Sequence, residues 1–242
     1  MATLMVRLAA PLQAWGSSSR FTRRMTDRAP TKSGVIGLLA AAQGLRRTDP
    51  LEDLLSLSFG VRIDQPGQIE RDFQTARTAE GKSFPLTNRY YIADGVFLAA
   101  VSGEDDLIST LDDALRHPRF PLFLGRRSCP PVGPVTLGTR PIGLWEALTQ
   151  EPWQASTWWR VKQQENVSVE VRIDSTSMSD DEDHVTLMTT ADAPVSFDPE
   201  SRQWGWRQVS SCHITISNPD SRQKKSANSR WSHDPMAALE VE

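Results

Sequence analysis

Thr31-Lys32-Ser33-Gly34 puts two hydroxyls, an ammonium group and a glycine at the start of a helical run. The first turn of a helix offers free backbone N–H groups and the positive end of the helix dipole. A carboxylate usually answers them, but the capping-box position three residues after Thr31 holds Gly34 rather than Glu or Gln. The helix therefore calls for an anion from elsewhere. Thr31, Lys32 and Ser33 together with free amides suit a phosphate. The preceding loop adds Arg20, Arg23, Arg24 and Arg28. The G-x-x-x-x-G-K-[ST] pattern of a nucleotide triphosphatase is missing, so that class is set aside.

A second cluster is LFLGRRSCPP (Leu122–Pro131), with Arg126, Arg127 and Ser128 behind Gly125. It reads equally as a solvated turn or as a phosphate clamp, the latter suiting guanidinium geometry. A third is LQAWGSSSRF (Leu12–Phe21), with Gln13, Trp15, Gly16 and Phe21. Its tryptophan could stack an unpaired base or fold back onto the core. For catalysis the yield is thin. The four histidines, His117, His184, His213 and His233, show no metal-ligand spacing, and no G-x-S-x-G elbow occurs. Metal-free RNA cleavage would draw on Tyr90, Tyr91, Lys32 and His117, whose spacing is not diagnostic. No metal and no cofactor is expected.

These groups must be positioned by regular elements. Leu4–Ala10 reads as a strand ending at Pro11, and Pro11–Pro30 as a polar loop. Lys32–Gln43 is a helix capped by Thr31 and stopped by Gly44. Gly34, Gly37, Ala41 and Gly44 form one face of it with almost no side-chain bulk, suited to close packing. A helical turn at Leu51–Leu55 and a strand at Leu57–Ile63 follow, then a polar excursion, Asp64–Asn88, that suits an extended hairpin. Arg89–Val101 reads as one long strand, bulged at Asp94-Gly95. Glu104–Arg116 is an amphipathic helix and Val135–Gly138 a strand. The order, strand–helix–strand–strand–helix–strand, is that of an α+β, ferredoxin-like (RRM-like) βαββαβ domain. Beyond a boundary near Arg140–Gly143, a short helix at Leu144–Thr149 and strands at Val167–Ile173, Val185–Thr189 and Val209–Ile216 make a smaller β-rich region. The division is 1–140 and 141–242, the latter with mobile loops.

At 242 residues and 38% hydrophobic, the chain can bury a sizeable core. No apolar run reaches the roughly 18–20 residues that span a bilayer, and no membrane partner is expected. The N-terminus does not read as a signal peptide. Two isolated cysteines, Cys129 and Cys212, give no disulfide framework, which points to the cytoplasm. The net charge of −3 hides an asymmetry. Arg20–Arg47 holds seven basic residues against one acid, whereas Asp180–Glu200 holds seven acids and no Lys or Arg. A local basic surface for phosphates beside a separate acidic segment is one reading, solvated surface the other.

Four stretches, LAAPLQAWG (Leu8–Gly16), PTKSGVIGLLAAAQG (Pro30–Gly44), RYYIADGVF (Arg89–Phe97) and LGRRSCPP (Leu124–Pro131), resemble the CasD family of type I-E Cascade, the CRISPR surveillance complex. HDPMAALE (His233–Glu240) fits as well. The resemblance covers Leu4–Gly138 well and the remainder loosely. It implies a RAMP-superfamily domain with a protruding hairpin thumb, here about 64–88. It also implies a non-catalytic subunit that caps the 5′ handle of crRNA. The expected partners are the CasC backbone subunits and the CasA large subunit, with target DNA reached only through the complex. The expected RNA contacts are Gln13, Trp15, Gly16, Arg20, Arg23, Arg24, Arg28, Thr31, Lys32, Ser33, Arg126, Arg127 and Ser128, with Arg71 and Arg77 on the thumb. Related type I-C subunits cut repeat RNA, so a metal-independent endoribonuclease is the alternative. A pure protein scaffold is a third possibility.

Overall fold

The computed structural model describes residues 1–16, 23–178 and 184–222. Arg20, Phe21, the tetrad 180–183 and HDPMAALE lie outside the described residues. The elements are β1 (Ala2–Ala9), β2 (Leu12–Gln13), β3 (Arg23–Arg24), α1 (Lys32–Gln43), α2 (Glu52–Leu55), β4 (Ser58–Gln65), β5 (Gln68–Gln74), β6 (Thr87–Ala93), β7 (Val96–Gly103), α3 (Asp105–Arg116), β8 (Thr136–Arg140), α4 (Leu144–Gln150), α5 (Thr157–Arg160), β9 (Asn166–Asp174), β10 (Thr186–Ser196) and β11 (Gln203–Ser217). Among the described residues no helix is long and apolar enough to cross a membrane.

Two sheets form. The larger is antiparallel, seven strands in the order β10-β11-β9-β4-β7-β1-β8. Strands β4, β7, β1 and β8 are neighbours within it, and β9 pairs with β4, so the sheet runs on past residue 140. Strict alternation along the strands sorts side chains onto two faces. Leu4, Val6 and Leu8 meet Phe97, Ala99 and Val101 beneath α1 and α3 on one face. Met5, Leu98, Ala100, Val171 and Ile173 lie on the other, covered by Leu144, Trp145 and Leu148 of α4. An RRM uses its open sheet face to stack bases on aromatics. Here α4 occupies that face, and no aromatic side chain of β1 or β7 is presented on it.

The second sheet is built on β6, with β5 along one edge and β2 and β3 sharing the other. β5 and β6 are the two arms of a hairpin whose tip spans 75–86. The expected long strand Arg89–Val101 is therefore two strands in two sheets. Asp94, at φ 55, breaks it, and its N–H bonds Pro11 O instead of continuing a ladder. The joint is locked by Gln65, whose Nε2 donates to Asp94 O.

A fully buried ion pair ties β4 to the segment after α4. Arg62 donates to both carboxylate oxygens of Asp64, at 2.6 and 3.0 Å, with both side chains at 0% exposure. The remaining guanidinium donors reach Leu148 O, Glu151 O and Pro152 O. Asp64 also accepts from Gln154 N at 2.7 Å, so no charge is left unmet.

Candidate RNA interface

The helix start finds its anion inside the chain. Thr31 caps α1, its Oγ1 accepting from Gly34 N at 3.2 Å, and Gly44 closes it at φ 85. Lys32 N donates to Asp192 Oδ2 of β10 at 2.8 Å, and Lys32 Nζ pairs with Asp174 Oδ2 at 3.0 Å. Arg207 of β11 bridges the same two carboxylates, at 2.6 Å to Asp192 and 2.7 Å to Asp174. Burial works against the Arg207 charge, but Asp192 and Asp174 outweigh it and hold the guanidinium more firmly protonated than usual. Two cations and two anions close a neutral cluster, with Thr31 and Ser33 buried and Lys32 nearly so. The phosphate expected at Thr31, Lys32 and Ser33 is thus displaced by Asp192, a member of the acidic segment that had no assigned partner.

Trp15 is likewise internal, at 1% exposure. Its indole Nε1 donates to Gln13 Oε1 at 3.1 Å, and Gln13 Nε2 donates to Gly95 O at 2.7 Å. A Cβ on Gly34 would lie 2.7 Å from the indole ring, so the small face of α1 is shaped to this tryptophan. Gln13 and Trp15 therefore brace the loop against the helix and do not present a base-stacking surface. Gly16 is exposed at the end of that described segment.

The arginines do converge, on the second sheet. β3 runs parallel to β6 and sets Arg24 directly beside Arg89, with Arg23 beside Asn88. Asp72 of β5 flanks Arg89 on the other side. Arg89 Nε is buried without a hydrogen-bond partner. Like charges in register repel, and a buried unsatisfied donor is costly. Arg126 closes the arrangement. It donates to Tyr90 O at 3.0 Å and Arg24 O at 2.9 Å, and lies 4.6 Å over the Tyr91 ring. Its role here is to fasten the LGRRSCPP turn onto β3 and β6. Gly125, at φ 85, is required because a Cβ would fall 1.6 Å from Ala14 O. Arg127 and Ser128 are left exposed at the turn, as are Arg23, Arg24 and Arg28.

Arg71 and Arg77 are exposed on the hairpin, together with Ile69, Phe73, Phe84 and Leu86. Arg89 does not stand out in the sequence, where it reads as the first residue of an apolar strand; only the parallel pairing with Arg24 sets it apart. The groups named for acid–base cleavage separate. His117 ends α3, two residues before Arg119, whose N–H bonds Ala42 O at the far end of α1 from Lys32, about 15 Å away. Tyr91 is buried beneath Arg126. Among the described residues no group of His, Cys, Asp and Glu could hold a metal ion.

Residues 3–210 match the family model described as CRISPR-associated protein (Cas_Cas5), and the chain belongs to that family. It is 36% identical over 157 residues to the CRISPR system Cascade subunit CasD of Escherichia coli (strain K12), covering 56% of this chain and 70% of that one. Among solved structures it resembles a chain of a CRISPR RNA-guided surveillance complex, with TM-score 0.73 and 32% identity over 90% of this chain and 92% of that one. It also resembles a structure described as a crystal structure of Cas protein, with TM-score 0.66 and 32% identity over 90% and 97% of the two chains.

Proposed function

We propose that this protein is a non-catalytic, RNA-gripping subunit of a Cascade-type surveillance complex, which caps the 5′ handle of crRNA. The observation that carries this reading is the in-register pair Arg24–Arg89, with Arg89 Nε buried and unsatisfied and Arg127 exposed at the adjoining turn. A single-stranded RNA passing over the base of the hairpin would supply the phosphates these arginines lack. The β1-α1-β4-β7-α3-β8 order is read as a ferredoxin-like RAMP body, and β5–β6 as its thumb. The apolar thumb residues Ile69, Phe73, Phe84 and Leu86 suit a neighbouring CasC subunit, since exposed apolar patches of this kind mark protein contacts. CasA is the further partner, and target DNA is reached through the assembly.

Ultraviolet crosslinking of the full chain to repeat-handle RNA, mapped to peptides, tests the reading. Crosslinks are expected in 23–28, 87–93 and 126–128. Crosslinks confined to α1, or none, would contradict it.

A further inference from the structure

A cleft of about 180 Å³ opens at the joint between the two sheets, lined by Arg7, Ala9, Pro11, Asp94, Val132 and Ser156 among others. Arg7 is half-buried there. Its backbone N–H bonds Val135 O, but among the described residues its guanidinium has no hydrogen bond and no ion pair. Burial lowers its pKa, and the attraction of Asp64, whose carboxylate is already committed to Arg62, offsets this only in part. The exposed Asp94 carboxylate and the half-buried Ser156 hydroxyl on the same cleft are also without side-chain partners among the described residues. Arg7 and Asp94 do not pair with each other.

A donor-only group and an acceptor-only group facing one small cleft ask for a ligand that offers both an acceptor and a donor. A bare phosphate would meet Asp94 repulsively. The walls, Ala9, Ala10, Pro11, Val96 and Val132, are apolar and suit a flat, weakly polar body. The volume is below the roughly 300–1,000 Å³ of sites for drug-sized ligands. Asp94 stands five residues along from Arg89, about 17 Å of extended strand, within reach of the same strand of RNA.

Resting on the RNA-binding reading above, we infer that this cleft takes one unpaired nucleobase of the bound RNA. Arg7 donates to an acceptor on the base edge and Asp94 accepts from its amino group. Adenine, cytosine and guanine meet Asp94 through an amino group and uracil only through its ring N–H, so the cleft is a point of sequence readout.

The test is handle-RNA binding by the full chain, scanned with single abasic substitutions. One position is expected to cost about 10- to 100-fold, the size of one or two hydrogen bonds to charged groups. Arg7→Gln should lose a similar factor on intact RNA and show no further loss with that abasic RNA. Asp94→Asn, which keeps a residue tolerant of positive φ, should change the base preferred there. Tight binding with no sensitive position, or an Arg7→Gln loss equal at every abasic site, would overturn the base pocket and leave the RNA-binding reading standing. No binding of intact RNA by the wild type would overturn both.

Discussion

The amide of Lys32 and the carboxylate of Asp192 meet at 2.8 Å across 160 positions of sequence. The first turn of α1 has no acid of its own, and the acidic segment around Asp192 has no base of its own. Each supplies what the other lacks, with Arg207 and Asp174 completing the charge balance. The sheet extension β9-β11-β10 is thereby keyed onto the body of the domain.

Asp192→Asn should destabilise the fold by about 3–5 kcal/mol, because it leaves buried cations without their partner. Equilibrium denaturation measures this. Handle-RNA affinity of the variant that remains folded should be unchanged.

Gly34→Ala should also destabilise, by about 1–3 kcal/mol, although alanine is the better helix former. The added Cβ would stand 2.7 Å from the Trp15 ring. In a Trp15→Leu background the same substitution should cost less, and the double-mutant cycle reads the difference as a shift in denaturation midpoint.

How much of this was legible in the sequence depends on the range of the interaction. The limits of α1, Lys32–Gln43, are visible because Thr31 and Gly44 act within one turn of it. The hairpin at 64–88 is visible as a polar excursion between apolar strands. What was not legible is which polar group meets which. A buried Trp15 and a stacking Trp15 have the same local sequence, and only the fit to Gly34 decides. Arg62 and Asp64 alternate like any strand pair, and only the carbonyls of Leu148, Glu151 and Pro152 make them internal. The split at Asp94 is not legible because Asp94-Gly95 signals a bulge within one strand and a break between two strands alike.

Glu170 gives a pH signature. Burial opposes its charge, but Arg172 at 2.6 Å and Ser211 at 3.0 Å hold its carboxyl below the usual range. A carboxylate with a depressed folded-state pKa adds stability above its unfolded value and loses it as the pH falls through the folded one. Glu170→Gln should therefore flatten the acid limb of stability below about pH 4.5. Partial exposure keeps the effect under about 1 kcal/mol. Urea midpoints across the pH range measure it.

Phe73 and Phe84, at 64% and 54% exposure, hold no core together. Replacing both with serine should leave stability within about 0.5 kcal/mol. Co-purification with the neighbouring backbone subunit should fall sharply if the thumb is the contact.

The most direct test is the salt dependence of handle-RNA affinity in Arg24→Ala/Arg89→Ala/Arg127→Ala, compared with Lys32→Ala. For a single strand, each lost phosphate contact should lower the slope of log K against log salt by about 0.7. The triple variant is expected to lose about 2 in slope, while Lys32→Ala keeps the wild-type slope and loses only stability. An unchanged slope in the triple variant, or an equal loss in Lys32→Ala, would contradict an RNA grip built on β3, β6 and the Arg127 turn.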